Sequence, residues 1–264
     1  MDLASVKQAS RRAQNAAHRI LTAAGPRQSD AKISADAQEY WDQPDGARWQ
    51  SNSHWRTGAA FAGNDLWSEI GRRHLAMFER GARTVGYERP WGRVLEWGCG
   101  GGANAVHFAP HADEFIGVDI SADTLIQCGR EVAAASDATW RPVRVDVAEP
   151  EAALREVDGC EIWLSFYVFE LIPSPQYGER LLQIAYRMVT PGGLAFIQIK
   201  YSDGRRVTRS RRRSYRSGLA AMTTYRIEEF WTLTQRCGFV PETVELVPRN
   251  ELDERYAYFL LTRP

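Results

Sequence analysis

From about residue 89 the chain alternates short apolar runs, rich in β-formers, with amphipathic helical stretches. The runs are Arg93 to Trp97, Phe115 to Val118, Pro142 to Val147, Glu161 to Tyr167 and Leu194 to Lys200. Helical patterns lie between them at about 102–110, 121–135, 150–157 and 178–189. This alternation predicts a parallel sheet covered by helices on both faces. In the last of these helices Leu181, Leu182, Ala185, Met188 and Val189 recur at three- and four-residue spacing, which makes one apolar face. Pro191-Gly192-Gly193 then breaks the helix and feeds the next strand. A polar stretch over 201–225 follows, and then a helix from Ile227 to Cys237 with Ile227, Phe230, Trp231 and Thr234 on one side. The final runs, Val240 to Val247 and Arg255 to Thr262, are joined by a loop too short for a helical crossover, so they are expected to be antiparallel. Residues 1–88 show no strand-like alternation. They are polar, helical in flavour and interrupted, and they carry Trp41, Trp49, Trp55 and Trp67, which predicts an N-terminal helical arm or cap (1–88) on a core of 89–264. The first helix of that arm is expected to stop at Ala24-Gly25-Pro26.

Composition narrows the function classes. The chain has 264 residues, which suits one large domain or one domain with an appendage and is ample for a core without disulfides. Its 33 basic and 33 acidic residues cancel, so the long-range field of a protein that coats nucleic acid or an acidic membrane is missing. Arginine outnumbers lysine heavily, with only Lys7, Lys32 and Lys200, as GC-rich codon usage alone would produce. Cys99, Cys128, Cys160 and Cys237 lie far apart, with no C-x-x-C pair, so neither a metal site nor a disulfide framework is expected, and a cytoplasmic location is. No run is long and apolar enough to span a bilayer. The first 28 residues are Ala-rich with Arg11, Arg12 and Arg19, similar in composition to a mitochondrial presequence, but a helical arm is the simpler account.

The densest chemical signal is Val94-Leu95-Glu96-Trp97-Gly98-Cys99-Gly100-Gly101-Gly102-Ala103-Asn104. A buried strand runs into four glycines and then a helix, so a ligand can approach the backbone closely and meet free amide donors. Gly98-x-Gly100-x-x-Ala103 with Asp119 some 20 residues on also satisfies the dinucleotide fingerprint. The fuller pattern resembles the class I S-adenosylmethionine (SAM)-dependent methyltransferases. The resemblance rests on Glu96-Trp97-Gly98-Cys99-Gly100, on Gly117-Val118-Asp119-Ile120-Ser121, on Val145-Asp146-Val147 and on Ile162 to Ile172, in that order. The helix-Pro-Gly-Gly-strand of Met188 to Ile199 and the segment from Glu228-Glu229-Phe230 to Gly238-Phe239 extend it over 92–262. It implies a Rossmann-like three-layer sandwich, with a mostly parallel seven-stranded sheet whose last strand is antiparallel, beneath the N-terminal cap. SAM is the implied cofactor. Asp119, with Ile120, is assigned to the ribose diol, Asp146 and Val147 to adenine, and Glu96 to the glycine loop and the methionine ammonium. Gly98, Cys99, Gly100 and Gly101 form the cradle, and Ser165 and Phe166 follow the fourth strand. A NAD-dependent oxidoreductase is the competing reading. Against it stand the charged Glu96 in the strand, the antiparallel sheet end and the absence of a Tyr-x-x-x-Lys pair.

Methyl transfer from a sulfonium is an in-line displacement that rewards alignment and exclusion of water, and only a hydroxyl acceptor usually needs a general base. Candidate bases are Tyr167, Glu170, His54 and Tyr201, with Glu170 expected to face solvent at the start of a loop. Ser165-Phe166-Tyr167 lacks the Asn/Asp-Pro-Pro-Tyr/Phe signature of enzymes that methylate adenine amines, which counts against DNA. Tyr40, Trp41 and Trp55 can either close over the cofactor or simply bury the cap, and Arg56 can pair with the methionine carboxylate. Seven arginines crowd into 205–216, read as a lid for an anionic group, a nucleic-acid contact or a solvated loop. The sequence therefore predicts an enzyme that moves a methyl group from SAM to O, N or C of a small, anionic or neutral acceptor, as in bacterial secondary metabolism. RNA methylation and a SAM-binding protein without methyl transfer, a tailoring enzyme or a regulator, are the alternatives.

Overall fold

A computed structural model describes residues 28–42, 46–212, 215, 219, 222–247, 249 and 254–264. The predicted stop at Ala24-Gly25-Pro26 and the side chains of Arg213 and Arg216 lie outside the described residues. The strands are β1 (Arg93–Trp97), β2 (Glu114–Asp119), β3 (Thr139–Arg144), β4 (Cys160–Ser165), β5 (Val189–Lys200), β6 (Val240–Leu246) and β7 (Tyr256–Thr262). They form one sheet in the order β3-β2-β1-β4-β5-β7-β6. Pairing is parallel from β3 through β5, and β7 is antiparallel to both β5 and β6. The helices are α1 (Asp30–Asp42), α2 (Gly46–Asn52), α3 (Leu66–Thr84), α4 (Ala105–Phe108), α5 (Ala122–Ala135), α6 (Pro175–Met188) and α7 (Ile227–Arg236).

Alternate side chains of each strand enter opposite layers, as a two-residue repeat requires. Val94, Phe115, Leu164, Phe196 and Leu260 pack with Met77 and Phe78 of α3 and with Leu125 and Val132 of α5. Leu95, Ile116, Trp163, Ile197 and Phe259 pack with Leu181 and Ala185 of α6 and Phe230 of α7. A strand covered on both faces reads as a continuous apolar run, which is why β1 and β4 were legible as apolar segments. Ser121 caps α5 by accepting from the Thr124 amide, and Ser174, followed by Pro175, caps α6 by accepting from the Tyr177 amide. Connections from β1 lead outward to β2 and β3, and those from β4 lead to β5. The order therefore reverses between β1 and β4, where a crevice opens at the carboxyl ends of the strands.

Several boundaries differ from expectation. β3 begins three residues earlier than the apolar run and ends at Arg144, because Thr139 pairs with Glu114 and Trp140 stacks on Phe115. Gly117 makes room for that indole, since a Cβ there would lie 2.2 Å from the Trp140 ring. Pro142 is tolerated because β3 is an edge strand. The stretch at 102–110 is a short α4 followed by a 3-10 turn at Ala109–His111, and Pro150–Arg155 is also 3-10. Pro191-Gly192-Gly193 falls within β5 rather than before it, and the Gly192 amide donates to the Arg263 carbonyl. Glu170 is buried at 2% exposure, not solvated, because Tyr256 of β7 reaches it and donates its hydroxyl to Oε1 at 2.8 Å.

Candidate functional site: a cofactor cavity at the strand switch

β1 ends at Trp97 and the chain turns back over the sheet edge through Gly98 and Gly100, at φ 75° and 54°. A side chain would be strained at both positions, and a Cβ on Gly98 would sit 2.3 Å from Val168. The loop amides are not free, as the sequence suggested. Those of Gly98 and Cys99 donate to the Val118 carbonyl, Gly100 donates to Asp119 Oδ2 at 3.1 Å, and Gly101 donates to the Ser53 carbonyl at 2.6 Å. That last bond comes from the cap. Residues 53–55, after α2, cross directly over the loop, so a Cβ on Gly101 would lie 2.6 Å from the His54 carbonyl oxygen.

Two of the three predicted carboxylates converge here. Asp119, at the end of β2, also accepts from the Ser121 amide at 3.0 Å, and burial raises its carboxyl above the ordinary range despite the Ser121 and Gly100 amides. Glu96 is completely buried. Its Oε1 accepts from Asn104 Nδ2 at 2.7 Å, and its Oε2 has no hydrogen-bond partner among the described residues. Burial pushes Glu96 up to about 8, with the Asn104 bond opposing and the Asp119 charge adding. Asp146 stands apart. It is exposed beyond the end of β3, caps its own turn by accepting from the Ala148 amide, and lines a shallower neighbouring cleft with Gln38, Tyr177 and Arg180.

The crevice itself holds about 800 Å³ of empty space, its open mouth included. Gly98, Gly100, Asp119 and Ile120 line one side, and Val145 and Val147 the next. Phe166 and Tyr167 form the end wall, and Leu171, Ile172 and Leu181 continue it. The cap contributes Ala37, Trp41, Asn52, Ser53 and His54. Tyr167 is a bulky residue at φ 56°, a conformation that costs energy and persists only where neighbours hold it. Its amide donates to Gln198 Oε1 at 2.5 Å, and its ring lies 4.7 Å from that of His54, which is itself at φ 52°.

Other candidates are not on the cavity wall. Arg56 forms an ion pair with Glu131 of α5 at 2.7 Å and lies over the Trp67 ring at 4.0 Å. Tyr40 accepts from Asn52 Nδ2, and Trp55 packs on Trp49 in the cap. Cys99 and Gly101 lie behind the loop's inner face, and Ser165 is buried with its hydroxyl donating to the Trp97 carbonyl. Tyr201 bridges to Tyr225 beyond β5. Sequence reasoning missed Tyr177, Tyr215 and Gln38. Tyr177 and Tyr215 line the cavity, and Tyr215 accepts from Trp41 Nε1 at 2.7 Å across 174 residues. Gln38 Oε1 accepts from the Val147 amide at 2.9 Å. None carried a local signal beyond aromatic or polar character. The described residues hold no cluster of metal-ligating side chains, and none of their helices is long and apolar enough to cross a membrane.

These residues fit SAM. Two side-chain-free positions flank a carboxylate at the end of β2, and a buried carboxyl oxygen behind the loop is still short of a donor. Glu96, Gly98, Gly100, Asp119, Ile120 and Val147 are the residues that would hold it. When bound, SAM supplies a methyl group activated by its sulfonium.

Comparison with known proteins agrees. A sequence profile of the methyltransferase domain family matches residues 70–244. No curated protein matches the chain in sequence. Among solved structures, the N-methyltransferase NodS from Bradyrhizobium japonicum WM9, in complex with S-adenosyl-L-homocysteine (SAH), aligns at TM-score 0.59 and 14% identity over 83% of this chain and 98% of its own. Magnesium protoporphyrin IX methyltransferase from Synechocystis PCC 6803, with bound SAH, aligns at TM-score 0.62 and 12% identity over 88% and 100%. A SAM-dependent methyltransferase from Mesorhizobium loti aligns at TM-score 0.52 and 16% identity over 66% and 93%. At such identities the likeness is one of fold, and the profile match carries the assignment: the chain belongs to the methyltransferase domain family and is a class I SAM-dependent methyltransferase.

Proposed function

We propose that this enzyme methylates a small-molecule acceptor at the Tyr167 end of the cavity. The carrying observation is the aromatic lining of the cavity. His54 from the cap packs on Tyr167 at 4.7 Å beside Phe166, while Trp41 of the cap and Tyr215 of the arginine-rich segment cover the Val147 side. Such a wall excludes water and leaves a polymer little access, while aromatic faces attract a desolvated sulfonium. A neighbour whose name specifies magnesium protoporphyrin IX is consistent with a small acceptor. In this arrangement Asp119 takes the ribose hydroxyls, Glu96 answers the cationic end of the methionine moiety, and Tyr167 with His54 orients the acceptor atom. The exposed guanidinium groups of Arg206, Arg209 and Arg211 lie along the segment that supplies Tyr215, which supports an anionic acceptor. The four buried cysteines, all free thiols, suit a cytoplasmic setting, and a role in bacterial secondary metabolism fits an acceptor of this kind.

The test is SAH formation from SAM across a panel of small phenols, amines and carboxylic acids, with the methylated product identified by mass. Turnover with a panel member supports the proposal. Turnover with bulk RNA and none with the panel overturns it.

A further inference from the structure

A hydrogen-bonded chain of buried side chains runs beneath the cavity and is not part of its wall. The Tyr167 amide donates to Gln198 Oε1 at 2.5 Å, and Gln198 Nε2 donates to the Tyr258 hydroxyl at 2.7 Å. That hydroxyl lies 3.0 Å from His74 Nε2, and His74 Nδ1 lies 2.7 Å from Asn104 Oδ1. Asn104 Nδ2 ends the chain on Glu96 Oε1 at 2.7 Å. Gln198 and Glu96 are fully buried, Tyr258 is 1% exposed, His74 2% and Asn104 6%.

One arrangement of donors satisfies every link of this chain. A backbone amide can only donate, so it fixes Gln198 Oε1 toward Tyr167 and the Gln198 amide nitrogen toward Tyr258. Tyr258 can then give its own proton to His74 Nε2. At the far end Asn104 Nδ2 donates to Glu96 Oε1, so Oδ1 faces His74 Nδ1 and accepts its proton. A neutral His74 protonated at Nδ1 satisfies both ends. The ring cannot turn away, because it stacks on Phe166 at 4.2 Å and 7°.

We propose that His74 and Tyr258 are positioning residues: the relay from Tyr167 through Gln198, Tyr258, His74 and Asn104 to Glu96 holds the strained acceptor-side backbone and the carboxyl behind the glycine loop as one unit, so Tyr258 sets cofactor affinity without touching the cofactor cavity. The relay ties β4, β5, β7, α3 and the end of the glycine loop. Asn104 follows that loop directly, so a slack relay loosens the turn that Gly98 and Gly100 shape. Neither His74 nor Tyr258 lines the crevice.

Two measurements on the full chain test this, and neither needs the acceptor. In protein labelled with nitrogen-15 at histidine, His74 is expected as the Nδ1–H tautomer. Tyr258→Phe keeps the ring and removes one hydroxyl, and it is expected to weaken SAH binding by calorimetry about fivefold while circular dichroism stays native. His74→Asn, whose amide can replace the Nδ1 donor to Asn104, is expected to bind SAH more tightly than His74→Ala. An Nε2–H tautomer of His74 in the wild type overturns the proposal, as does a folded Tyr258→Phe protein with SAH affinity within about twofold of wild type. If Tyr258→Phe does not fold, the tautomer and the His74→Asn comparison decide.

Discussion

Glu96 sits in an interior strand of the sheet with one carboxyl oxygen bonded to Asn104 and the other short of a donor, in a place water does not reach. Burial therefore favours its neutral form up to about pH 8. Because the folded-state pKa lies above the ordinary carboxylate value of 4.5, the contribution of Glu96 to the stability of the cofactor-free fold is full below about 4.5 and is lost as pH rises through about 8. Glu96→Gln keeps the shape and cannot ionise. Melting curves of the two cofactor-free proteins are expected to coincide near pH 4.5 and to separate with the variant higher, by roughly 2–4 kcal/mol, at pH 9. The same variant is expected to lose about tenfold in SAM affinity at pH 8, because a neutral amide cannot answer a cation. A variant that melts in step with wild type across the whole range would mean that Glu96 is not desolvated in the way its surroundings indicate.

At the level of elements, two of the contacts that hold the cap to the core differ in kind. Residues 53–55 lie on the glycine loop, with Gly101 so close that a methyl group would meet the His54 carbonyl at 2.6 Å. The Gly101 backbone does not adopt a left-handed conformation, so Gly101→Ala tests the crossing itself rather than backbone strain. It is expected to destabilise the fold by about 1–3 kcal/mol and to weaken SAH binding at least tenfold, measured by thermal melting and calorimetry. The second contact joins α1 to the arginine-rich segment. Trp41 donates to the buried Tyr215 hydroxyl, the Gln28 amide donates to the Arg212 carbonyl, and Arg212 pairs with Asp30. Trp41→Phe keeps the apolar surface and removes the donor. Stopped-flow measurement of SAH release is expected to show dissociation about fivefold faster, with association little changed.

For the molecule as a whole, a net charge of zero conceals an uneven distribution. Asp119 lines the cofactor cavity with Glu96 buried behind its glycine loop, and Arg206, Arg209 and Arg211 are exposed on the segment that supplies Tyr215 to its wall. Replacing these three by Gln is expected to raise the KM of an anionic acceptor about tenfold at low ionic strength, an effect that shrinks in 1 M salt, with SAM affinity unchanged. An equal KM at low salt would return the segment to the role of a solvated loop. The sheet, the glycine turn and the order of the acids along the chain were legible without coordinates, because each depends on local geometry: the strand and helix repeats, the need for glycine at a tight turn, and a β6–β7 loop too short to cross over. Even there β3 shifted by three residues, since its register is set by Glu114 and Phe115 in the next strand. Which side chains meet was settled by packing across the chain. Arg56 turned to Glu131, Glu170 went under Tyr256, and His74 found Tyr258 across 184 residues and Asn104 across 30. A repeat in sequence states which face of a segment is buried, whereas the partner on the other side depends on how distant elements pack. A single polar residue on a helix carries no mark of the network it will join.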